Sequence, residues 1–566
     1  MARPRRRFAS AALALLLAAA VGMFGAVSPA SADAYYPIAG SGSTWSANAI
    51  SQWISDAKTF GLPVSYTSNG SSAGRLDFAN KLNDFGVSEI PYQGTDPLTG
   101  NADNSHGRPF AYMPIVAGGT SFMYHLTVGG QLLRDLRLSG QTITKIFTGQ
   151  ITDWSDDAIT ADNNGRKLPK KKIVPVVRSD GSGTSAQFSL WMSKQYKDIW
   201  CPFFDAKVAP GKPCGLTSNY PTFSGDTVAQ GSSVQMAGYI SAEYAEGAIG
   251  YVEYSYARSK NFPVAKMLNA SGYFVEPTDY NVAVALTQAQ INQQKDSDLY
   301  LTQVLDGVYS NQDPRTYPLS SYSYMILPTS LDQRITADKG RSLGAFAHYF
   351  LCQGQRKAGP LGYSPLPLNL VQAGFDQVAK VPGAEQQQLN PSGCDNPTFD
   401  PADPGSNRLA KTAPMPPACD HTGQGPCAGG GTGDGSAGNT GTGTGQGTGQ
   451  GGNAGQGTGS DGNSGQQGQN GTGTGAVDPV TGQTVDPATG EAVDPATGQV
   501  IGSTRKGGSG AVGSATELAA LRSESTDTTL GVLAAVELVL VLVVPAFVAR
   551  QIGRRRGRRA AEGNGE

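Results

Sequence analysis

Residues 176–185 have the sequence VVRSDGSGTS, and the chain continues with AQFSLWM at positions 186–192. An apolar run, then glycine and small polar residues, then apolar residues at helical spacing predict a buried strand, a turn and a helix. The N–H groups of Ser182 to Ser185 would lack partners at the helix start, so that together with the helix dipole and Arg178 they would favour an anion. For this stretch taken alone, an ordinary capped helix beside a surface arginine is the alternative.

The composition divides the 566 residues into a part that can bury a core and a part that cannot. Residues from about 33 to 400 mix aromatic, aliphatic and charged side chains, whereas residues from about 428 to 516 contain almost no large apolar side chains. The net charge is −2, and the first part has no long basic run. These features argue against a nucleic acid partner. We predict no cofactor.

The first 32 residues have the features of a secretory signal peptide. Arginines at positions 3, 5, 6 and 7 precede an apolar run, Ala11 to Val21, and the small-residue triplet Ala30-Ser31-Ala32. This order predicts export and cleavage before Asp33.

The six cysteines are an even number in an exported chain, which favours disulfides over metal binding or catalysis. Six cysteines allow about 15 connectivities, and proximity in the sequence alone favours one of them. This simplest pairing joins Cys201 to Cys214, Cys352 to Cys394, and Cys419 to Cys427. The four histidines lack the spacing of metal ligands, so we predict no metal site.

Strands alternate with helices through the first part of the chain. Apolar runs predict strands at 64–66, 84–89, 114–119, 248–252 and 324–327, and helical spacing follows the glycine- and serine-rich turns at 39–45 and 69–74. The second of these helices would carry Leu76, Phe78 and Leu82. Such alternation predicts a parallel α/β sheet, split into two lobes at this length, with ligands at the carboxyl ends of the strands.

The composition of the C-terminal part predicts a tether. Residues 401–527 are predicted to be a disordered Gly/Thr/Gln-rich linker with three octapeptide repeats, beginning at Val477, Val485 and Val493. Residues 528–549 are mostly apolar and long enough to span a membrane, although they include Glu537, and residues 550–566 are arginine-rich. We therefore expect a transmembrane helix with a basic cytoplasmic tail, anchoring an exported domain in the cell membrane of a Gram-positive bacterium.

Several motifs together resemble those of a known family. GSGSTW at 40–45, GSSAG at 70–74, DFGVSE at 84–89 and RSDGSGTS at 178–185 are similar in type and order to motifs of the phosphate-binding proteins (PstS type) of the bacterial high-affinity phosphate ABC importer. The resemblance covers about residues 35 to 380, and the arginine-centred motif is its most specific part. It implies a two-lobed periplasmic-binding-protein-like (type 2) fold for residues 33–400, with inorganic phosphate and ABC permease subunits as partners and no enzymatic activity.

The resemblance also implies a ligand set. One lobe would hold the phosphate oxygens through Thr44, the backbone of Trp45, and Ser71, and the other lobe through Arg178, Ser182, Gly183 and Thr184, with Asp180 bracing the arginine.

Glu89 stands where the family usually has aspartate. A carboxylate there would accept a hydrogen bond from a ligand that bears a proton, which phosphate does near pH 7 and sulfate does not. The extra methylene leaves affinity and selectivity for phosphate open, and a Glu89 side chain that turns to solvent is the alternative.

Two other functions are compatible with the sequence. GSSAG at 70–74 matches the G-x-S-x-G turn of serine hydrolases, with Ser72 as nucleophile and His348 as its base. His348, however, lies among apolar residues at helical spacing, which favours packing on a helix face. A surface adhesion or sensing module with altered or lost anion binding is the other alternative.

Overall fold

The computed structural model describes residues 35–96, 100–295, 297–425 and 427, and the backbone of residues 476–477 and 484–485. The chain divides into two units, Met1–Asn439 and Thr440–Glu566. In the second unit, Ala476–Val477 pairs with Thr484–Val485 as antiparallel strands. The predicted signal peptide and membrane helix lie outside the described residues. Among the helices of the described residues, none is both long and apolar enough to span a bilayer.

An eight-stranded sheet organises the first unit. Its strands, numbered in chain order, are β1 (Ile38–Gly42), β2 (Val64–Thr67), β3 (Phe85–Ser88), β4 (Phe110–Tyr124), β5 (Val174–Arg178), β6 (Val228–Gln230), β7 (Ala248–Glu253) and β8 (Ser320–Pro328). Their order across the sheet is β6-β5-β7-β4-β8-β3-β1-β2. All residues of β3, β7 and β8 are buried, because helices cover both faces.

The sheet is mixed, so the prediction of a parallel sheet is correct only at its flanks. β1 pairs in parallel with β2 and β3, and β5 with β6 and β7. The ladders β7–β4, β4–β8 and β8–β3 are antiparallel. Three reversals between β7 and β3 make the strands of the two flanks run in opposite directions.

The long strand β4 joins the two lobes. Its residues 110–119 pair with β8, and its residues 120–124 pair with β7. The β4–β8 ladder shifts register beside Pro114, which has no N–H to donate. One lobe therefore holds β1, β2, β3 and β8, and the other holds β5, β6 and β7.

Helices cover both faces of the sheet. They are α1 (Ala47–Thr59), α2 (Ser71–Ala79), α3 (Gly140–Phe147), α4 (Asp157–Asp162), α5 (Gly183–Gln195), α6 (Lys197–Phe203), α7 (Ser233–Ser241), α8 (Tyr254–Ser259), α9 (Asp279–Leu286), α10 (Asp306–Tyr309), α11 (Ala337–Leu351), α12 (Ala358–Leu361), α13 (Leu368–Val378) and α14 (Arg408–Thr412). Because α2 ends at Ala79, Leu82 lies beyond the helix predicted to carry it, and its side chain is exposed.

The disulfides follow the simplest pairing: Cys201–Cys214, Cys352–Cys394 and Cys419–Cys427.

The fold continues into residues that the sequence analysis assigns to the linker. We call residues 396–425 the C-terminal segment. Its helix α14 packs on α9 through Leu409 and Ala410, and Asp420 forms ion pairs with Arg137 at 2.8 Å and Lys266 at 2.7 Å. These apolar and ionic contacts fasten the segment to the domain.

Candidate functional site

The carboxyl ends of the strands face each other across a cleft, because the flanks of the sheet run in opposite directions. β1 and β2 lead into the starts of α1 and α2 from one lobe, and β5 and β6 lead into the starts of α5 and α7 from the other. Four helix N-termini, each with N–H groups that have no acceptor within their own helix and with the positive end of a dipole, therefore converge. Such an arrangement favours an anion.

The first lobe contributes Thr44, Ser71 and Glu89, all buried. Thr44 lies just before α1, Ser71 begins α2, and Glu89 follows β3. The indole of Trp45 donates to Thr120 Oγ1 at 3.2 Å and packs edge-on against Tyr363. This leaves the backbone of Trp45, rather than its ring, as the group suited to an anion.

The second lobe contributes Arg178, whose side chain is only 1% exposed, at the end of β5. Its Nε donates to Asp180 Oδ1 at 2.7 Å, and its Nη2 donates to Asp180 Oδ2. This two-point contact is the expected brace, and it fixes the plane of the guanidinium. The remaining nitrogen, Nη1, donates to Ser233 Oγ at 3.1 Å.

The start of α5 completes this wall. The Ser182 hydroxyl caps the helix by accepting from the N–H of Ser185 at 3.2 Å, and it can still donate its own proton. Thr184 is buried, and no group in the described part of the chain bonds to its Oγ1. An unpaired buried hydroxyl costs about 1–3 kcal/mol, so Thr184 is a donor that lacks its acceptor.

The two lobes touch across the site. Thr44 Oγ1 lies 2.8 Å from Ser233 Oγ, Ser72 N–H donates to Gly181 O at 3.0 Å, and Gly183 N–H donates to Ser71 Oγ at 3.2 Å. Gly70 has φ +99°, and a Cβ there would lie 2.7 Å from Asp180 Oδ2. Only glycine suits this close approach of the two turns.

Glu89 points into the site, so the alternative in which it turns to solvent is wrong. Its side chain is buried, and Oε2 accepts from Ser71 Oγ at 2.6 Å. Oε1 accepts from Ser323 Oγ at 3.0 Å and from Ser43 Oγ. The carboxylate thus lies among hydroxyl donors at the carboxyl end of β3.

Sequence reasoning missed three serines that line the site: Ser43, Ser233 and Ser323. Ser43 lies within the quoted turn before α1, and Ser233 follows Gly231-Ser232, another glycine–serine turn before a helix. The glycine–serine turn before each helix could therefore have identified Ser43 and Ser233. Ser323 lies inside a buried strand, where no local pattern marks a side chain that faces a ligand.

Two tyrosines hold the loop before α1. Tyr363 donates to the carbonyl of Trp45 at 2.6 Å, and Tyr256 donates to the carbonyl of Thr44. Burial raises the pKa of both phenols, which keeps them neutral donors. Their contacts fix the main chain at Thr44 and Trp45, beside the point where Thr44 Oγ1 meets Ser233 Oγ of the other lobe.

The residues of the hydrolase alternative have other roles. The ring of His348 is buried against Phe375, with ring centroids 4.8 Å apart, and burial lowers its pKa. The Ser72 hydroxyl accepts from Arg75 Nη2 at 3.4 Å.

Comparison with known proteins decides the family. A sequence model described as the PBP superfamily domain matches residues 27–353. A phosphate-binding protein, PstS 3, of Mycobacterium tuberculosis is 30% identical over 330 residues, which are 58% of this chain and 82% of that protein. The chain belongs to the PstS-type phosphate-binding proteins of the PBP superfamily.

Two further proteins are similar to this PstS-type chain. A phosphate-binding protein PstS of Pasteurella multocida is 30% identical over 339 residues, covering 59% of this chain and 88% of that protein. A solved phosphate-binding protein from Stenotrophomonas maltophilia aligns with a TM-score of 0.44 at 17% identity, covering 63% of this chain and 98% of that one. Family membership confirms the two-lobed fold, and it confirms the prediction of a binding protein rather than an enzyme.

Proposed function

We propose that this protein binds inorganic phosphate reversibly between its two lobes. The observation that carries the proposal is the convergence of four helix starts on the buried Nη1 of Arg178 and the unpaired hydroxyl of Thr184. Many neutral hydrogen-bond donors, together with one guanidinium held by a carboxylate, suit a small dehydrated oxyanion. The PstS-type relatives are named for phosphate, which agrees with this chemistry.

In this proposal, nine residues form and brace the phosphate site: Thr44, Trp45, Ser71, Glu89, Arg178, Asp180, Ser182, Gly183 and Thr184. To these we add Ser233, which contacts both Thr44 and Arg178. A buried carboxylate at Glu89 suits an anion that still carries a proton, so sulfate would leave two acceptors facing each other.

We further propose that the bound phosphate is passed to the permease subunits of an ABC importer. The domain would work outside the cytoplasm of a Gram-positive cell, after removal of residues 1–32. The linker would begin after residue 427, because residues 401–425 pack on the domain, and it would join the domain to a membrane helix at 528–549. The signal-like first residues and the apolar run before the terminal arginines support this arrangement. A Gly-rich linker of roughly 100 residues would have a root-mean-square span of about 50–60 Å, enough for a tethered domain to reach a neighbouring permease.

Calorimetry of the full-length protein tests phosphate binding. Protein freed of phosphate by dialysis is titrated with phosphate and, separately, with sulfate at pH 7. We expect saturable heat with phosphate, and affinity for sulfate at least 100-fold lower. A folded protein that gives no heat with phosphate up to millimolar concentrations would contradict the proposal, and equal affinities would contradict the role of Glu89 in selectivity.

A further inference from the structure

The Glu89 carboxylate already holds donors that phosphate would need. Its Oε2 accepts a hydrogen bond from the Ser71 hydroxyl at 2.6 Å. Ser71 Oγ in turn accepts a hydrogen bond from the N–H of Gly183 at 3.2 Å. Both Ser71 and Gly183 belong to the proposed phosphate ligands. The first lobe's carboxylate and the second lobe's helix α5 are therefore joined through one serine.

The carboxylate also lies directly against the start of α5. A Cβ added to Gly183 would lie 2.0 Å from Glu89 Oε2 and 2.6 Å from Ser71 Oγ, so the oxygen fills the space beside this glycine. A helix N-terminus of this length attracts negative charge. The Glu89 side chain thus occupies part of the place where the second lobe would receive an anion.

The backbone of Glu89 adds to this contact between lobes. Its carbonyl accepts from Gln187 Nε2, on α5, at 2.7 Å, and from Gln303 Nε2 at 3.2 Å. Side chain and main chain of one residue therefore both engage groups at or near α5. This double contact joins the two lobes at Glu89.

On the basis of the proposed phosphate function, we propose that the Glu89 carboxylate competes with phosphate for the same hydrogen-bond donors. In the free protein its carboxylate accepts the hydrogen bond of the Ser71 hydroxyl and lies at the start of α5. Phosphate binds by displacing it from these two groups to a position where it accepts the proton of phosphate. The competition depends on the length of the Glu89 side chain. An aspartate would place the carboxylate about 1.5 Å, one carbon–carbon bond, further from the start of α5. The apparent affinity falls with the fraction of protein in which the site is already filled.

Phosphate titrations of three full-length proteins test the competition: wild type, Glu89→Asp, and Glu385→Asp as a matched control at an exposed position. We expect Glu89→Asp to bind phosphate at least tenfold more tightly than wild type, and Glu385→Asp to bind within twofold of wild type. Binding by Glu89→Asp alone would also support the competition. Equal or weaker binding by Glu89→Asp, with wild type binding, would overturn it and leave the proposed function standing.

Absence of phosphate binding in both folded wild type and Glu89→Asp would reject the proposed function, and the competition with it. Hydrogen exchange of the phosphate-free proteins gives an independent readout. We expect the amides of residues 181–186 to exchange at least tenfold faster in Glu89→Asp than in wild type, and phosphate to restore their protection. Equal exchange in the two phosphate-free proteins would overturn the claim that Glu89 holds the lobes together.

Discussion

At the scale of single residues, the site separates charge from hydrogen bonding. Arg178 supplies the positive charge, but Asp180 neutralises it and fixes its plane, so the attraction for an anion is local and directional. Hydroxyl and backbone donors supply the rest. In the proposed function, Glu89 favours a ligand that brings a proton of its own.

Replacing Arg178 tests the charged contact. We expect Arg178→Ala to weaken phosphate binding by more than about 2 kcal/mol, roughly 30-fold in Kd, because a charge-assisted contact is lost from a buried site. Arg178→Lys keeps the charge but not the planar fork, and it should recover only part of the loss. Calorimetry measures both, and an unchanged Kd in Arg178→Ala would show that the anion binds elsewhere.

Ser233 is a proposed phosphate ligand that sequence reasoning missed, and it contacts both Thr44 and Arg178. Ser233→Ala should weaken phosphate binding roughly tenfold, the usual loss for one hydrogen bond to a charged group. Ser241→Ala, a serine at the far end of the same helix, serves as the control and should leave the Kd unchanged. Equal effects of the two substitutions would exclude a direct contact between Ser233 and phosphate.

At the scale of elements, local sequence predicted the strand–turn–helix units and little of how they assemble. The turns before α1, α2 and α5 were identified because glycine, serine and threonine next to an apolar run mark a helix start. The antiparallel ladders of β4 and β8 were not predicted, because pairing between strands that are distant in sequence leaves no local pattern. The C-terminal segment was missed because contacts such as Arg137–Asp420 join residues far apart in sequence.

The ion pair of the C-terminal segment should matter for stability. Asp420→Ala leaves Arg137 buried without its carboxylate, and we expect the free energy of unfolding to fall by about 3–5 kcal/mol. Asp403→Ala removes a carboxylate of the same segment from an exposed pair with Lys411 and should leave the free energy of unfolding nearly unchanged. Urea unfolding measures both, and a small effect of Asp420→Ala would show that the segment is not fastened.

Glu253, at the end of β7, gives stability a pH dependence. Burial raises the pKa of its carboxyl well above the usual value, so the folded protein keeps a proton that the unfolded chain releases. Stability from this group is therefore complete below the unfolded pKa and is lost as pH rises towards the folded pKa.

The variant Glu253→Gln cannot titrate, so its stability relative to wild type should rise between pH 4 and pH 8. Urea unfolding at both pH values measures this change, with the exposed Glu385→Gln as control. An identical difference between Glu253→Gln and wild type at pH 4 and pH 8 would contradict a raised pKa.

At the scale of the whole molecule, two opposed sets of strand ends create a binding cleft that neither lobe has alone. β4 passes from one lobe into the other, and the residues on either side of the cleft are already in contact. In the proposed function, binding and release of phosphate would require the lobes to separate and close again. The amino-acid composition of the residues after 427 supports a tether for this two-lobed domain.

The tether is tested by shortening the chain. A protein that ends at residue 527 should be recovered from the culture medium, whereas the full-length protein should be in the membrane fraction, because residues 528–549 would supply the span. Immunoblots of the two fractions measure the distribution. Membrane retention of the shortened protein would show that another part of the chain anchors it.

The most direct measurement of the central claim is a crystal structure of the full-length protein grown with excess phosphate. We predict one tetrahedral anion between the lobes, within hydrogen-bond distance of Arg178 Nη1, Thr184 Oγ1 and Ser233 Oγ, with the Glu89 carboxylate moved away from the start of α5. A closed cleft without an anion, or phosphate bound at another place, would contradict the account.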